Sequence, residues 1–70
     1  MAKIEAGMAG NVWKVLVKEG DKVKAGQDVV ILESMKMEIP VAVERDGVVT
    51  KVNVQEGDFV NGNDAVIEIE

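Results

Sequence analysis

The chain has no cysteine and no histidine. Their absence excludes a disulfide framework, a thiolate zinc site, a cysteine nucleophile and a histidine general base. Aromatic residues are almost missing: Trp13 and Phe59 are the only two. Positive charge is in deficit, with 8 Lys and Arg against 13 Asp and Glu, a net charge of −5. Such a balance opposes nucleic-acid binding, which draws its affinity from basic neutralisation of phosphate. It equally opposes a peripheral membrane anchor, which relies on a basic face. No apolar run reaches the ~18 residues of a membrane span. Residues Met1 to Gly10 lack the apolar middle of a signal peptide. A soluble, cytoplasmic chain is expected. Its 70 residues leave room for one small domain, 1–70, near the lower limit for a single apolar core.

What is present is valine. There are 14 Val and 5 Ile against 2 Leu. Branching at Cβ suits a pleated, half-buried surface and disfavours helix. Seven glycines fall at short intervals, and no stretch sustains an apolar spacing of three and four. Val12–Val17, Val29–Leu32, Ile39–Val43, Val48–Val54 and Ala65–Ile69 read as strands, punctuated by Gly-Asp, Asn-Gly and Asp-Gly pairs. The fold class is all-β.

The sequence also repeats itself. Shifted by 37 residues, Gly10–Glu33 lies over Gly47–Glu70 without a gap, and 11 of 24 positions are identical. The identities include Lys14/Lys51 and the turn Glu19-Gly20-Asp21 over Glu56-Gly57-Asp58, so valine content alone does not explain them. Val15 and Val17 are apolar in both copies and are expected to face the core. Val12 has the opposite parity and is also kept as Val49, which predicts a bulge or a bend between sheets. Gly20 and Gly57 are expected at positive φ. Trp13 becomes Thr50 and Leu16 becomes Asn53, so those positions tolerate water. Two copies, about 1–33 and 38–70, predict a pseudo-twofold flattened barrel or sandwich. The junction Ser34-Met35-Lys36-Met37 is then equivalent to the chain ends, and Lys36 stands at an exposed hairpin tip as far from them as the domain allows.

Glu33-Ser34-Met35-Lys36-Met37-Glu38 is the one segment with chemistry to offer. It lacks the Asn-Gly pair usual in a two-residue hairpin. It sets two methionines beside a lysine at a turn, and methionine is frequent at surfaces that meet several partners. An exposed lysine between two glutamates is a poor general base, but it is an accessible amine that another enzyme can acylate. Lys14 and Lys51 fall mid-strand and read as solvated faces.

These residues resemble the attachment motif of biotinyl domains, usually written Ala-Met-Lys-Met. The resemblance extends over Met8-Ala9-Gly10, Val15–Gly20–Asp21–Val23, Asp46-Gly47, Glu56-Gly57-Asp58 and the last apolar strand. Within the biotinyl/lipoyl carrier family the chain looks most similar to small bacterial biotin/lipoyl attachment proteins. The resemblance implies a flattened β-barrel, or barrel-sandwich hybrid, of two four-stranded antiparallel sheets. Some positions depart from the pattern. The usual prolines around Met8 are absent, Ser34 stands where Ala is common, and no residues are spare for a protruding thumb. Lipoyl domains favour Asp before the lysine, so the motif is mainly biotin-like while sharing Glu33-Ser34 with lipoyl domains.

The resemblance implies a carrier, with no catalytic residues of its own. Biotin protein ligase would join biotin to Lys36, with Met35, Met37, Ser34, Glu33 and Glu38 in recognition. A biotin carboxylase would then use ATP and bicarbonate, and the domain would take carboxybiotin to a carboxyltransferase. In isolation the carrier is expected to be monomeric. Two alternatives stay open: a lipoyl carrier, or dual acceptor of lipoate and biotin, using the same Lys36, and an unmodified barrel-sandwich interaction domain.

Overall fold

The computed structural model describes residues 2–70 and builds them into eight strands and no helix. They are β1 (Ala2–Glu5), β2 (Gly10–Val15), β3 (Lys22–Val23), β4 (Asp28–Ser34), β5 (Met37–Ala42), β6 (Gly47–Val52), β7 (Phe59–Val60) and β8 (Ala65–Ile69). Two four-stranded sheets result, ordered β1-β8-β6-β3 and β5-β4-β2-β7, with every pairing antiparallel. Met1, the first residue of the expected domain and repeat, lies outside the described residues.

The sheet orders are the repeat made visible. A shift of 37 residues carries β1 to β5, β2 to β6, β3 to β7 and β4 to β8, and so exchanges the sheets. Each sheet takes its outer strands from one copy and its inner strands from the other. The turns cross-link in the same way. The Gly20 N–H donates to the Val49 carbonyl and the Gly57 N–H to the Val12 carbonyl, both at 2.8 Å. In return Val49 N–H donates to Asp21 and Val12 N–H to Asp58. Each copy thus completes the hydrogen bonding of the other.

The core is nearly all Val and Ile. Val12/Val49, Val17/Val54, Val23/Val60, Val29/Val66, Val30/Ile67 and Leu32/Ile69 are buried as equivalent pairs, as are Ala6 and Val43. Among the described residues no polar side chain is buried. At ~1.5–3 kcal/mol for each fully buried aliphatic side chain, this cluster is the main stabilising term. Bulges fit it to the pleat. The β2–β4 register shifts between Val12 and Lys14, and the β6–β8 register between Val49 and Lys51. These are the irregularities demanded by the parity of Val12.

Gly20 and Gly57 have φ of 92° and 96°. Each sits in a turn tied by the following aspartate. Asp21 accepts from the Lys18 N–H (2.9 Å), and Asp58 from the Gln55 N–H (2.8 Å).

Three strands went unread in the sequence. β3 and β7 have two residues each, too few to show alternation, and β1, Ala-Lys-Ile-Glu, alternates apolar with polar over only four residues. Val15 is half-buried and packs against the core, and Val17 is buried within it, so both face the interior as expected.

Candidate functional site

β4 and β5 form a hairpin whose closing pair is Ser34↔Met37, so Met35 and Lys36 are its two-residue loop. Both carry positive φ, 53° and 64°. Two positive φ angles in succession define a type I′ turn, whose twist matches that of the flanking strands. The usual Asn-Gly pair is absent, so two side chains with a Cβ occupy the left-handed region at ~1 kcal/mol each or more. The strand pairing behind them holds the turn in place.

The turn projects its contents into solvent. Met35 is 91% exposed and Met37 63%, and Lys36 is exposed. Ser34 is half-buried. Glu33 and Glu38, both exposed, lie directly opposite each other one step behind the closing pair. Two carboxylates across a strand pair repel, so the base of the turn is an acidic collar below the lysine. All six residues singled out in the sequence therefore meet in one hairpin end.

One supporting residue was missed. Gly10 is buried at the start of β2, and a Cβ there would stand 2.9 Å from the Glu33 carbonyl oxygen and 3.5 Å from Ser34 Cβ. Only glycine lets β2 lie so close under the hairpin base. Its mate Gly47 has the same relation to the Glu70 carbonyl, also 2.9 Å. Retention of glycine at this position in both copies was the available signal.

The competing amines are built differently. Lys14 and Lys51 are exposed within β2 and β6. Lys14 lies 5.1 Å from the centroid of the Trp13 ring, and Lys51 pairs across the strand with Glu68. Neither stands at a turn. Two surface hollows, one along Ile4 and Ala42 and the other along Val54 and Phe59, include no residue of the hairpin loop. Among the described residues no cluster of His, Cys, Asp or Glu is fit to hold a metal. The arrangement suits presentation of an amine to an outside enzyme, not enclosure of a substrate.

Comparison with known proteins agrees with this geometry. The biotin/lipoyl family model, described as "Biotin-requiring enzyme", matches residues 2–69. The biotin/lipoyl attachment protein of Bacillus subtilis (strain 168) is 58% identical over 62 residues, spanning 89% of this chain and 85% of that protein. The biotinylated protein TB7.3 homolog of Mycobacterium leprae (strain TN) is 42% identical over 94% of this chain and 93% of its own length. The crystal structure of the Kluyveromyces lactis urea carboxylase superposes with a TM-score of 0.92 at 35% identity; the match covers 99% of this chain and 6% of that one. An all-β fold of two four-stranded sheets, a family model along nearly the whole chain and a relative matched almost end to end place the chain in the biotin/lipoyl family.

Proposed function

We propose that this chain is a biotin carboxyl carrier domain in which Lys36 takes biotin in amide linkage. The observation that carries the reading is the position of Lys36 at the exposed end of a type I′ hairpin, between Met35 and Met37. The residues fit the group. A primary amine free of packing constraints can reach an external active site, and the fold asks nothing of its charge. In the joining step Nζ loses a proton and its lone pair forms the new C–N bond; overall, water is lost between amine and carboxylic acid. The formal charge goes from −5 to −6, since the basic count drops from 8 to 7 against 13 acidic residues.

When bound, biotin supplies a ureido nitrogen that takes up and gives back carboxylate, and the protein supplies presentation. The rigid sheets hold the arm's root, and covalent tethering replaces free diffusion with a high effective concentration. Met35 and Met37 offer adaptable apolar contact to the enzymes that read the tip. Glu33 and Glu38 set its charge. Biotin protein ligase is the partner that loads the domain, and a biotin carboxylase and a carboxyltransferase are the partners it serves. That the pyruvate carboxylase of Staphylococcus aureus contains a segment 45% identical over 96% of this chain supports a carboxylase setting. The reading includes a monomer in the cytoplasm.

A second reading, lipoate on the same Lys36, draws support from the name of the Bacillus subtilis relative, biotin/lipoyl attachment protein. Incubation with ATP and either biotin ligase plus biotin or lipoate ligase plus lipoate, followed by intact mass, separates the two. The primary reading predicts loading in the biotin arm at Lys36 and none after Lys36→Ala.

A further inference from the structure

The chain holds four methionines and no cysteine, so every sulfur in it is a thioether. With no thiol to take up a two-electron oxidant, methionine sulfur is the side-chain group most open to one. The three described methionines differ in their surroundings. Met8 is half-buried and packs against the core. Met37, at the start of β5, is 63% exposed. Met35, the first residue of the hairpin loop, is 91% exposed at a φ of 53°. Its thioether has almost no cover in the folded chain, and a small reagent in solution reaches it unhindered.

Position decides what oxidation does. A sulfoxide is polar, and inside a core it disrupts the packing around it. Met35 is not among the residues that build the core or pack against it, and neither is Met37. Oxidation there leaves the fold intact. The loss falls on a complex instead. Met35 and Met37 are the two chain neighbours of Lys36, so an enzyme that acylates Lys36 Nζ covers them. A covered thioether is an apolar contact. A covered sulfoxide takes an oxygen acceptor out of water, which is costly unless a donor meets it.

On the carrier reading above, we propose that Met35, and after it Met37, is a reversible oxidation site whose sulfoxide shuts off loading of Lys36. The oxidant is hydrogen peroxide. A sulfur lone pair attacks one peroxide oxygen, an S–O bond forms and the O–O bond breaks. The transferred oxygen gives up its proton to the departing hydroxide, which leaves as water. Sulfur is oxidised by two electrons and the peroxide is reduced by two. Methionine sulfoxide reductases reverse the change, one enzyme for each sulfoxide epimer. There a pair of thiols becomes a disulfide and the oxygen leaves as water.

The test treats the whole chain with hydrogen peroxide, removes the excess with catalase and maps the added oxygen by peptide mass, about 16 Da per sulfoxide. Oxidation is expected at Met35 first, Met37 next and Met8 last, with the thermal midpoint unchanged. The oxidised chain is then given biotin ligase, ATP and biotin. Its kcat/KM for loading is expected to fall about tenfold or more against the untreated chain, and to return after treatment with both reductases and a thiol. A double variant, Met35→Leu with Met37→Leu, keeps Met1, Met8 and Trp13, and its loading rate is expected to be the same before and after peroxide. Where the double variant is itself too slow to load, recovery by the reductases decides. Undiminished loading of the oxidised chain overturns the proposal and leaves the carrier reading standing. So does a loss that the reductases fail to restore, an equal loss in the double variant, or oxidation of Met8 ahead of Met35. Failure of the untreated chain to be loaded sinks the carrier reading instead.

Discussion

At the scale of single residues, the site is a trade between local strain and accessibility. Met35 and Lys36 hold φ of 53° and 64° without glycine or asparagine to ease it. Asparagine tolerates this region better than methionine, so Met35→Asn is expected to stabilise the protein by about 0.5–1 kcal/mol. A melting temperature raised by roughly 2–8 °C is the readout. The same change removes an apolar contact 91% exposed at the tip, and loading by biotin ligase is expected to slow. Cofactor choice belongs to this scale too. Met35→Asp brings the motif closer to the lipoyl pattern and is expected to lower loading by biotin ligase and raise loading by lipoate ligase, read side by side by intact mass. Much of this was legible in sequence. Glu33 to Glu38 stood out by composition, and the repeat located Lys36 at a tip. The positive φ at Met35 and Lys36 was not legible, because no turn-forming residue marks it; the register of β4 on β5 imposes it.

Among the elements, the hairpin stands on β2, and the contact between them has no slack. Gly10→Ala would put a methyl group 2.9 Å from the Glu33 carbonyl oxygen. It is expected to cost about 1–3 kcal/mol, seen as a lower midpoint in urea at unchanged slope. Lys36 stays exposed, so loading at a temperature where the variant is folded is expected to continue at a reduced rate. The bulge in β2 was readable from Val12 and Val15, whose parities conflict yet which are both retained in the second copy. β3 and β7 were not, because a two-residue strand carries no periodicity and exists only through its pairing with β6 or β2.

For the whole molecule, the interleaving of copies makes folding one event. Each sheet draws strands from both copies, and the crossed bonds of Gly20, Asp21, Gly57 and Asp58 join them further. Fragments 1–34 and 37–70 are therefore expected to be unfolded alone by circular dichroism, and the intact chain to unfold in one cooperative step. Fragments with separate β signatures would contradict the interleaving. The central claim is that this scaffold exists to present Lys36 for attachment. Its most direct test is the mass of the intact protein after incubation with biotin ligase, ATP and biotin, followed by peptide mapping. The account predicts a gain of about 226 Da, the amide adduct less water, on Lys36 alone. No gain, or the same gain on Lys14, Lys51 or a Lys36→Ala protein, would contradict it.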